Sequence, residues 1–416
     1  MIPPMHILLV APSAPPKNSP EAMQVGRFIA SLHPAVRVTL VTTTPVIAGW
    51  QWEDSSLVID RPSMTVIALS LPCHHLTQPV LANRRLSFLH SPDSEFWLPW
   101  LARHVLRRLP AMPDVIYSRA APFSASLLAR RLKALTGLPW LMHLSDPWSD
   151  SPYRQFSPRK SVKDRAQEAA CFAEADMITL TTIGQADHYR ARYPTRSGSI
   201  FVTPNMMPAV HPIRMSAHAP GLLRLVYTGA LYGERNPETL LTALRIFREA
   251  APEEANRIRV DFYGNASSEM VERIRKAPGC FVHGPVSFAE VSQIQAEADL
   301  LVTIEPSGEA PLLLHFMPSK NLDYIAIGKP ILAITPKGSE TDRLCRAGYG
   351  WAFAPDNAAE LAAGLAHLVF AHKAGKITNP VPHKNALPYD AHTVTSDITK
   401  KLLSLTSSHA KKGALA

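Results

Sequence analysis

Short runs of apolar and β-branched residues alternate with helical periodicity along the first half of the chain. The apolar runs are nearly unbroken, which is typical of strands in a parallel sheet that is covered on both faces. Such strands are predicted at 6–10, 37–43, 64–69, 114–118, 139–145 and 177–182. Between them, apolar spacing of three and four residues predicts helices over 21–32 and 123–137. This order of strands and helices predicts a doubly wound α/β domain.

The alternation stops at a proline-rich stretch over 203–223, TPNMMPAVHPIRMSAHAPGLL, and then resumes. Because this stretch has no period, we interpret it as an interdomain linker. The series that follows predicts a second doubly wound domain. We therefore predict an α/β protein of two Rossmann-like domains that face each other across a cleft, where ligands bind beyond the carboxyl ends of the strands. The predicted limits are 1–208, 209–385, and a C-terminal helix from 386 that packs back on the N-terminal domain and ends in a frayed tail.

The composition indicates a globular protein and gives no membrane or metal signal. Of the 416 residues, 46% are hydrophobic and 19% are charged. No apolar run approaches the roughly 20 residues that span a bilayer. The start, MIPPMHILLVAPSAPP, has no basic leader, so we expect a cytoplasmic protein. The four cysteines are far apart, no Asp-x-Asp pair occurs, and no His, Cys and carboxylate cluster has metal spacing, so we predict no metal site.

The net charge of +9 is unevenly distributed, since most of the excess lies in residues 1–208. A basic first half favours an anionic partner, such as a phosphorylated substrate, an acidic bilayer surface or nucleic acid. No clustered basic stripe with interleaved aromatic residues is present, and no nucleic-acid module is recognisable. We therefore expect no nucleic-acid partner.

A strong helix start occurs in TGALYGERNPETLL (228–241), with Asn236 as the predicted cap and Pro237 as the first helical residue. Arg235 directly precedes this start, beside the positive end of the helix dipole. A cation is unfavourable there unless an anion lies near it. Arg235 is therefore either part of an anion site or a solvated surface arginine.

A second cation lies at the head of an apolar helix in PSKNLDYIAIGKPILA (318–333). Ser319 is the predicted cap, Lys320 lies in the first turn, and Asp323 follows about one turn later on the same face. Backbone N–H groups, Ser319 and Lys320 would hold a phosphate there, and Asp323 would accept ribose hydroxyls. The alternative is a charged helix start that only keeps the helix soluble.

The second half resembles the donor-binding domain of GT-B glycosyltransferases of family four. PSKNLDYIAIGKPILA is similar to their donor-binding helix, and YTGALYGERNPETLLTAL is similar to the first loop and helix of that domain. The segments VDFYGN, VHGPVS and ADLLVTIEPSG follow in the family's order. The resemblance covers nearly the whole chain but is dense only from about 225 to 335. It implies transfer from a UDP- or GDP-sugar with retention of configuration.

The resemblance also implies roles for individual residues. Asp323 and His315 take the positions of the family's two carboxylates, so His315 stands where a glutamate usually contacts the sugar. Arg235 and Lys320 would hold the diphosphate and act in catalysis. Ala230 replaces the basic residue that usually follows Gly229, which leaves Arg235 as the basic residue of that loop. The implied donor-binding residues are Gly229, Arg235, Gly264, His283, Glu309, His315, Pro318, Ser319, Lys320 and Asp323.

Two loops of the N-terminal domain are further candidates. MHLSDPWSDSPY (142–153) would place His143 and Asp146 in a loop at the carboxyl edge of the sheet, where related transferases carry a residue facing the donor sugar. Asp146 has the alternative of capping the turn before Pro147. The loop after the first strand lacks the family's glycine pair, and the small residues Asn18 and Ser19 take its place on the acceptor side.

The segment PDSEFWLPWLARHVLRRL (92–109) combines aromatic and basic residues and has two interpretations. It is either a helix that contacts a bilayer or a core-facing helix with a basic solvent side, and the sequence does not favour one over the other. The bilayer interpretation uses Trp97, Trp100, Arg103, Arg107 and Arg108.

We conclude that the sequence predicts a hexosyl- or N-acetylhexosaminyl-transferase that needs no metal or other cofactor. The expected acceptor is a lipid-linked saccharide in bacterial polysaccharide assembly, reached from the cytoplasmic face of the inner membrane. The alternatives are a nucleotide-sugar epimerase of the same fold and, more remotely, a basic binding protein without catalytic activity.

Overall fold

The computed structural model describes residues 4–44, 52–59, 61–83, 90–152, 157–209, 221–233, 235–306, 311–377 and 388–415. The chain forms two compact units. The N-terminal unit comprises Met1–Met206 with Tyr389–Ala416, and the C-terminal unit comprises Met207–Pro388. The predicted domain limits lie within a few residues of these boundaries. Each unit is described separately below.

The N-terminal unit contains a parallel sheet of seven strands in the order β5-β3-β1-β6-β7-β8-β9. Strands β2 and β4 form a separate two-stranded antiparallel sheet. The strands are β1 Met5–Val10, β2 Lys17–Asn18, β3 Val36–Thr43, β4 Trp52–Glu53, β5 Met64–Leu69, β6 Val115–Ala120, β7 Trp140–Leu144, β8 Met177–Leu180 and β9 Ile200–Val202. All residues of β1, β6 and β7 are buried, as the unbroken apolar runs predicted.

The helices of this unit begin where the sequence offers side-chain caps. Ser19, Ser157 and Thr182 each accept a hydrogen bond from the backbone N–H three residues ahead. The fourth helix ends at Gly137, whose φ of 74° few other residues adopt. The helices are α1 Pro20–Ser31, α2 His74–Ala82, α3 Ala102–Arg107, α4 Ser124–Thr136, α5 Pro158–Glu174 and α6 Ile183–Arg192.

The C-terminal unit contains a parallel sheet of six strands in the order β12-β11-β10-β13-β14-β15. The strands are β10 Leu223–Thr228, β11 Ile258–Tyr263, β12 Cys280–Gly284, β13 Leu300–Ile304, β14 Ile331–Ile334 and β15 Gly350–Phe353. The helices are α7 Glu238–Ala250, α8 Pro252–Ala255, α9 Ser268–Lys276, α10 Phe288–Ala296, α11 Ser319–Ile327, α12 Glu340–Leu344 and α13 Ala358–Lys373. The strand order reverses between β10 and β13, and doubly wound sheets bind ligands at that point, beyond the carboxyl ends of the strands.

The last helix, α14, spans Ala391–Leu415 and packs on the N-terminal unit. Val394, Ile398 and Leu402 recur every four residues and join the core beside α1 and β1. The helix continues to Leu415, through the residues that were predicted to fray. Alanine, lysine and leucine are good helix formers, and they extend a helix that the packed part has already nucleated.

Candidate active site

Two glycines shape the loop at the carboxyl end of β10. Gly229 has a φ of 131° and Gly264, after β11, has a φ of 130°. A Cβ atom on Gly264 would lie 2.2 Å from the carbonyl oxygen of Gly229, so only glycine allows the two loops to approach this closely. A Cβ atom on Gly229 would lie 2.8 Å from Nζ of Lys320, so the first loop also leaves room for that side chain.

Lys320 points its nitrogen into this loop. Its stem is half-buried, but Nζ has essentially no accessible surface and has no hydrogen-bond partner among the described residues. Nζ lies 4.0 Å from the centroid of the Tyr227 ring, over its face. A cation over an aromatic face gains about 2 kcal/mol or less, which offsets only part of the lost hydration. The nitrogen is therefore in an environment that an anion would improve.

Arg235 reaches the same region from the segment that precedes α7. Its Nη1 donates to the hydroxyl of Tyr232 at 3.3 Å, and its guanidinium lies 5.1 Å from the centroid of that ring. The predicted helix start is corrected by one residue, because α7 begins at Glu238 with Pro237 in the cap position. Asn236 still supports the start, since its Oδ1 accepts the Glu238 N–H at 3.1 Å.

The start of α11 differs from the prediction as well. Ser319 is the first helical residue and Pro318 takes the cap position, with no hydrogen bond from a capping side chain. The prediction that Ser319 is the cap is therefore wrong, because the extended Pro318, with its ψ of 125°, already supplies the break before the helix. Asn321 anchors the helix: it accepts from Thr303 of β13 at 2.6 Å and donates to Thr341 of α12 at 2.8 Å.

Glu305 completes the cluster, and the sequence analysis did not identify it. It follows β13 directly, is buried, and accepts hydrogen bonds from the hydroxyls of Thr335 and Thr341. Burial raises the pKa of Glu305, and the two threonines, Arg235 and Lys320 oppose that rise. A carboxylate directly after a buried parallel strand was the available signal, because the carboxyl ends of such strands carry the sites of this fold class.

We call Gly229, Arg235, Glu305, Lys320 and Asp323 the β10–β13 site. Burial is the main cause that lowers the pKa of Lys320 well below its usual value, and the nearby charge of Arg235 lowers it further. Glu305 and Asp323 act in the opposite direction. Two cations thus share a poorly solvated position where the strand order reverses, an arrangement suited to holding a group with two negative charges.

The remaining candidates of this unit lie in different surroundings. Asp323 is half-buried on α11, and His315 is half-buried at the end of a 3-10 turn over Pro311–His315. His283 in β12 bonds Asp261 through Nε2 at 2.7 Å, and its ring stacks on Tyr263. Asp261 also pairs with Arg224 and Arg259, so His283 belongs to an ion cluster on the sheet. Glu309 lies outside the described residues.

Comparisons with known proteins agree with this geometry. Residues 223–370 match the family model of glycosyl transferases group 1, and this range holds the whole β10–β13 site. Solved structures share the two-domain GT-B fold, among them several α,α-trehalose-phosphate synthases. Residues 223–370 therefore form a glycosyl transferases group 1 domain, and the chain as a whole has the GT-B fold.

The solved structures similar to this chain are distant in sequence. The N-terminal domain of trehalose-6-phosphate phosphatase from Candida albicans has a TM-score of 0.66 at 13% identity, over 96% of this chain and 97% of that one. The α,α-trehalose-phosphate synthase (UDP-forming) from Burkholderia xenovorans, in complex with glucose-6-phosphate, has a TM-score of 0.64 at 11% identity. The match covers 96% of this chain and 100% of that one. An E. coli trehalose-6-phosphate structure bound with UDP-2-fluoro glucose has a TM-score of 0.62 at 12% identity. The match covers 95% of this chain and 98% of that one. No curated protein sequence matches the chain.

In the N-terminal unit, His143 is not in a loop. It lies within β7, is fully buried, and its Nδ1 bonds the hydroxyl of Thr179 at 3.0 Å. Burial, together with the charge of Arg119, lowers the pKa of His143 well below its usual value. The prediction of a loop histidine is therefore wrong, because the apolar run of β7 continues through this position to Leu144.

Asp146 is exposed in the loop that follows β7, as expected. The loop is fixed by its buried residues: the Trp148 N–H donates to the Tyr189 hydroxyl, and the Ser149 N–H donates to Glu168, both at 2.8 Å. Glu168 also accepts from the hydroxyls of Tyr189 and Tyr193. A role for Asp146 in catalysis stays a prediction.

The loop after β1 has structural functions that the sequence analysis did not foresee. Ser19 is buried and caps α1, with Oγ accepting the Ala22 N–H at 3.2 Å, and Asn18 donates to Asp54 at 3.3 Å. Two positions further on, Glu21 forms a buried ion pair with Arg119 of β6 at 2.6 Å. Burial opposes the charge on Arg119, but Glu21 and Tyr117 raise the pKa of that guanidinium above its usual value.

The basic segment divides between the core and the surface. Trp97 is only 2% exposed and packs with Leu98 and Val105 in the core, so its predicted membrane contact is wrong. The reason is the local geometry: a 3-10 turn over Leu98–Leu101 precedes a short α3, and the two tryptophans do not share one face. Trp100 is 74% exposed. Arg103, Arg107 and Arg108 are exposed as well.

Two general findings concern only the described residues. None of their helices combines the length and the apolar character that crossing a membrane requires. In the same residues, no three His, Cys, Asp or Glu side chains come together in a way that could hold a metal ion.

Proposed function

We propose that this protein is a glycosyltransferase that moves a hexosyl or N-acetylhexosaminyl group from a UDP- or GDP-sugar to a hydroxyl group of its acceptor. The observation that carries the proposal is the β10–β13 site, where Arg235 and the buried nitrogen of Lys320 lie together at the point of strand reversal. A diphosphate would bring negative charge next to these two basic groups. The solved structure bound with UDP-2-fluoro glucose, which has the same fold, supports a nucleotide-sugar donor.

The chemistry follows from where charge develops in the reaction. As the bond between the sugar and the diphosphate breaks, negative charge grows on the leaving phosphate oxygens. Arg235 and Lys320 would stabilise that charge, aided by the first backbone N–H groups of α11 beside Pro318 and Ser319. The surrounding loops exclude water from Nζ of Lys320, which strengthens the interaction.

Asp323 would bind the nucleotide ribose, because it follows Ser319 and Lys320 by about one helical turn and lies on the same face. Its carboxylate can accept hydrogen bonds from two vicinal hydroxyls. Gly229 and Gly264 would let the backbone come close to the donor, because a Cβ atom at either position would meet neighbouring atoms. His315 would contact the sugar in place of the carboxylate of related enzymes. We propose that the reaction retains configuration and needs no metal, and a transfer assay with and without EDTA tests the second point.

The acceptor is proposed to be a lipid-linked saccharide of bacterial polysaccharide assembly, used at the cytoplasmic face of the membrane. The basic excess of residues 1–208 supports an anionic acceptor or surface. Exposed Trp100 beside Arg103, Arg107 and Arg108 supports contact with headgroups.

A mass-spectrometric screen of sugar nucleotides for binding, followed by transfer assays with each binder, tests the proposal. We expect one nucleotide sugar to bind and to lose its sugar only when acceptor is present. If the protein isomerises the sugar of the donor without any acceptor, the epimerase of the same fold replaces the proposal. If no sugar nucleotide binds, the assignment of the β10–β13 site to a donor is wrong.

A further inference from the structure

The nitrogen of Lys320 is buried in a place that does not suit an ammonium group. Its Nζ has essentially no accessible surface, and no described residue accepts a hydrogen bond from it. Removing an ammonium ion from water costs several kcal/mol unless hydrogen bonds or an opposite charge replace the hydration. A neutral amine avoids most of this cost.

The groups that face this nitrogen come from four elements. The Tyr227 ring of β10 lies 4.0 Å below it, and Arg235, before α7, adds a second positive charge. Glu305 after β13 and Asp323 on α11 are negative. The two oxygens of Glu305 accept from Thr335 and Thr341, and the Thr341 hydroxyl in turn accepts from Asn321. Glu305 is therefore held by α11 and α12 without a hydrogen bond to Nζ of Lys320.

The balance of these effects favours the neutral amine while the site holds no anion. Burial is the largest influence that lowers the pKa of Lys320, Arg235 adds to it, and the two carboxylates only reduce the effect. A bound diphosphate diester would bring two negative charges next to Arg235 and Lys320. That charge favours the ammonium form of Lys320.

We infer that binding of the diphosphate to the β10–β13 site takes up one proton from solvent, and that the amine of Lys320 receives it and becomes an ammonium group. The inference rests on the proposed function, since it needs a nucleotide diphosphate as the ligand. Under this inference Lys320 is neutral in the free protein and becomes a cation only when the donor binds.

The pH dependence has a definite sign. The pKa of Lys320 is low in the free protein and higher in the complex, so the complex holds one more proton at every pH between the two values. Within that window the affinity falls about tenfold for each unit by which the pH rises. Below the lower value the free protein is already protonated, so the affinity becomes independent of pH.

Calorimetric titration with UDP and with GDP tests the inference. At about pH 8.5 the terminal phosphate of either nucleotide, with a pKa near 6, is fully ionised and takes up no proton. Titrations in two buffers of different ionisation enthalpy then give the number of protons taken up. We expect the wild type to take up about one proton on binding and Lys320→Met to take up none. The nucleotide affinity of Lys320→Met should be about 10²-fold lower than that of the wild type. Lys329→Met is the matched control, because Lys329 is also a buried lysine whose pKa burial lowers, and it should leave the uptake at about one.

Several results would overturn the inference. Wild-type binding without proton uptake would show that Lys320 has the same protonation state in the free protein and in the complex. Uptake that persists in Lys320→Met would show that another group, such as Glu305, accepts the proton. If Lys320→Met does not fold, the slope of wild-type affinity against pH decides, and a flat slope from about pH 7 to 9 ends the inference. Absence of binding by both nucleotides is a different outcome, because it removes the proposed diphosphate site itself.

Discussion

Arg235 and Lys320 lie in different parts of the sequence, yet in the β10–β13 site the charge of Arg235 helps to lower the pKa of Lys320. At the scale of single residues the fold places two basic groups together, and the nitrogen of one of them, Lys320, has lost its hydration. Such an arrangement is unfavourable for stability alone. Groups of this kind cluster at functional sites, where a ligand supplies the missing charge.

Replacing either cation should slow the reaction without unfolding the protein. For Arg235→Ala and Lys320→Ala we expect turnover to fall by about 10²-fold or more, because each removes one preorganised group that stabilises the leaving diphosphate. Arg245→Ala is the control, since Arg245 is an exposed arginine of α7 paired with Glu249. Steady-state rates with the identified donor provide the measurement. Wild-type rates in both variants would contradict the diphosphate assignment.

Asp323→Ala should act on binding. We expect nucleotide affinity to fall by about tenfold, or 1.4 kcal/mol, as typical for a lost charge-assisted hydrogen bond. Calorimetric titration of UDP and GDP measures it, with Asp356→Ala, at an exposed position, as the control. Unchanged affinity in Asp323→Ala would remove the ribose role.

At the scale of elements, the positions of helices and strands followed from the sequence, whereas their first residues did not. β5 has the predicted bounds of 64–69. The starts of α7 and α11 were displaced by a residue, because Pro237 and Pro318 occupy cap positions where an Asn and a Ser were expected. Before α11, Pro318 with its ψ of 125° breaks the helix without a side-chain hydrogen bond, so a search for capping side chains overlooks it.

The start of α11 gives a prediction that separates stability from binding. Ser319→Glu places a negative charge at the positive end of the helix and should stabilise the fold by about 0.3 to 1 kcal/mol. The same charge should repel a diphosphate and weaken UDP and GDP binding. Ser268→Glu, at the first residue of α9, is the matched control that should stabilise without affecting binding. Thermal unfolding and calorimetry measure the two effects, and equal nucleotide affinity in both variants would mean that α11 does not face the diphosphate.

At the scale of the whole molecule, the net charge and the exposed Trp100 are the basis for predicting that the N-terminal unit binds an anionic bilayer. Arg103, Arg107 and Arg108 are exposed near Trp100 on the N-terminal unit, while Trp97 belongs to the core. A neighbouring Lys or Arg contributes about 1 kcal/mol to binding at an anionic membrane. The triple change of these arginines to Ser should therefore release the protein from anionic liposomes.

Sedimentation with liposomes that contain anionic lipid measures this release. The control changes three exposed basic residues of the C-terminal unit, Arg245, Arg275 and Lys276, to Ser, which removes the same charge elsewhere. We expect the control to sediment like the wild type and donor affinity to be unchanged in both variants. If the wild type stays in the supernatant, or if both variants sediment equally, the membrane surface is wrongly assigned.

The sequence by itself determined the fold class, because unbroken apolar strands and amphipathic helices in strict alternation have few solutions other than doubly wound sheets. It also made Arg235, Lys320 and Asp323 candidates for a donor site, because charges at helix starts are visible in the local sequence. Only the tertiary structure showed that Glu305 joins them, that His143 is buried within β7, and that Trp97 belongs to the core. Burial and long-range hydrogen bonds depend on which strands become neighbours, and no local pattern records that pairing.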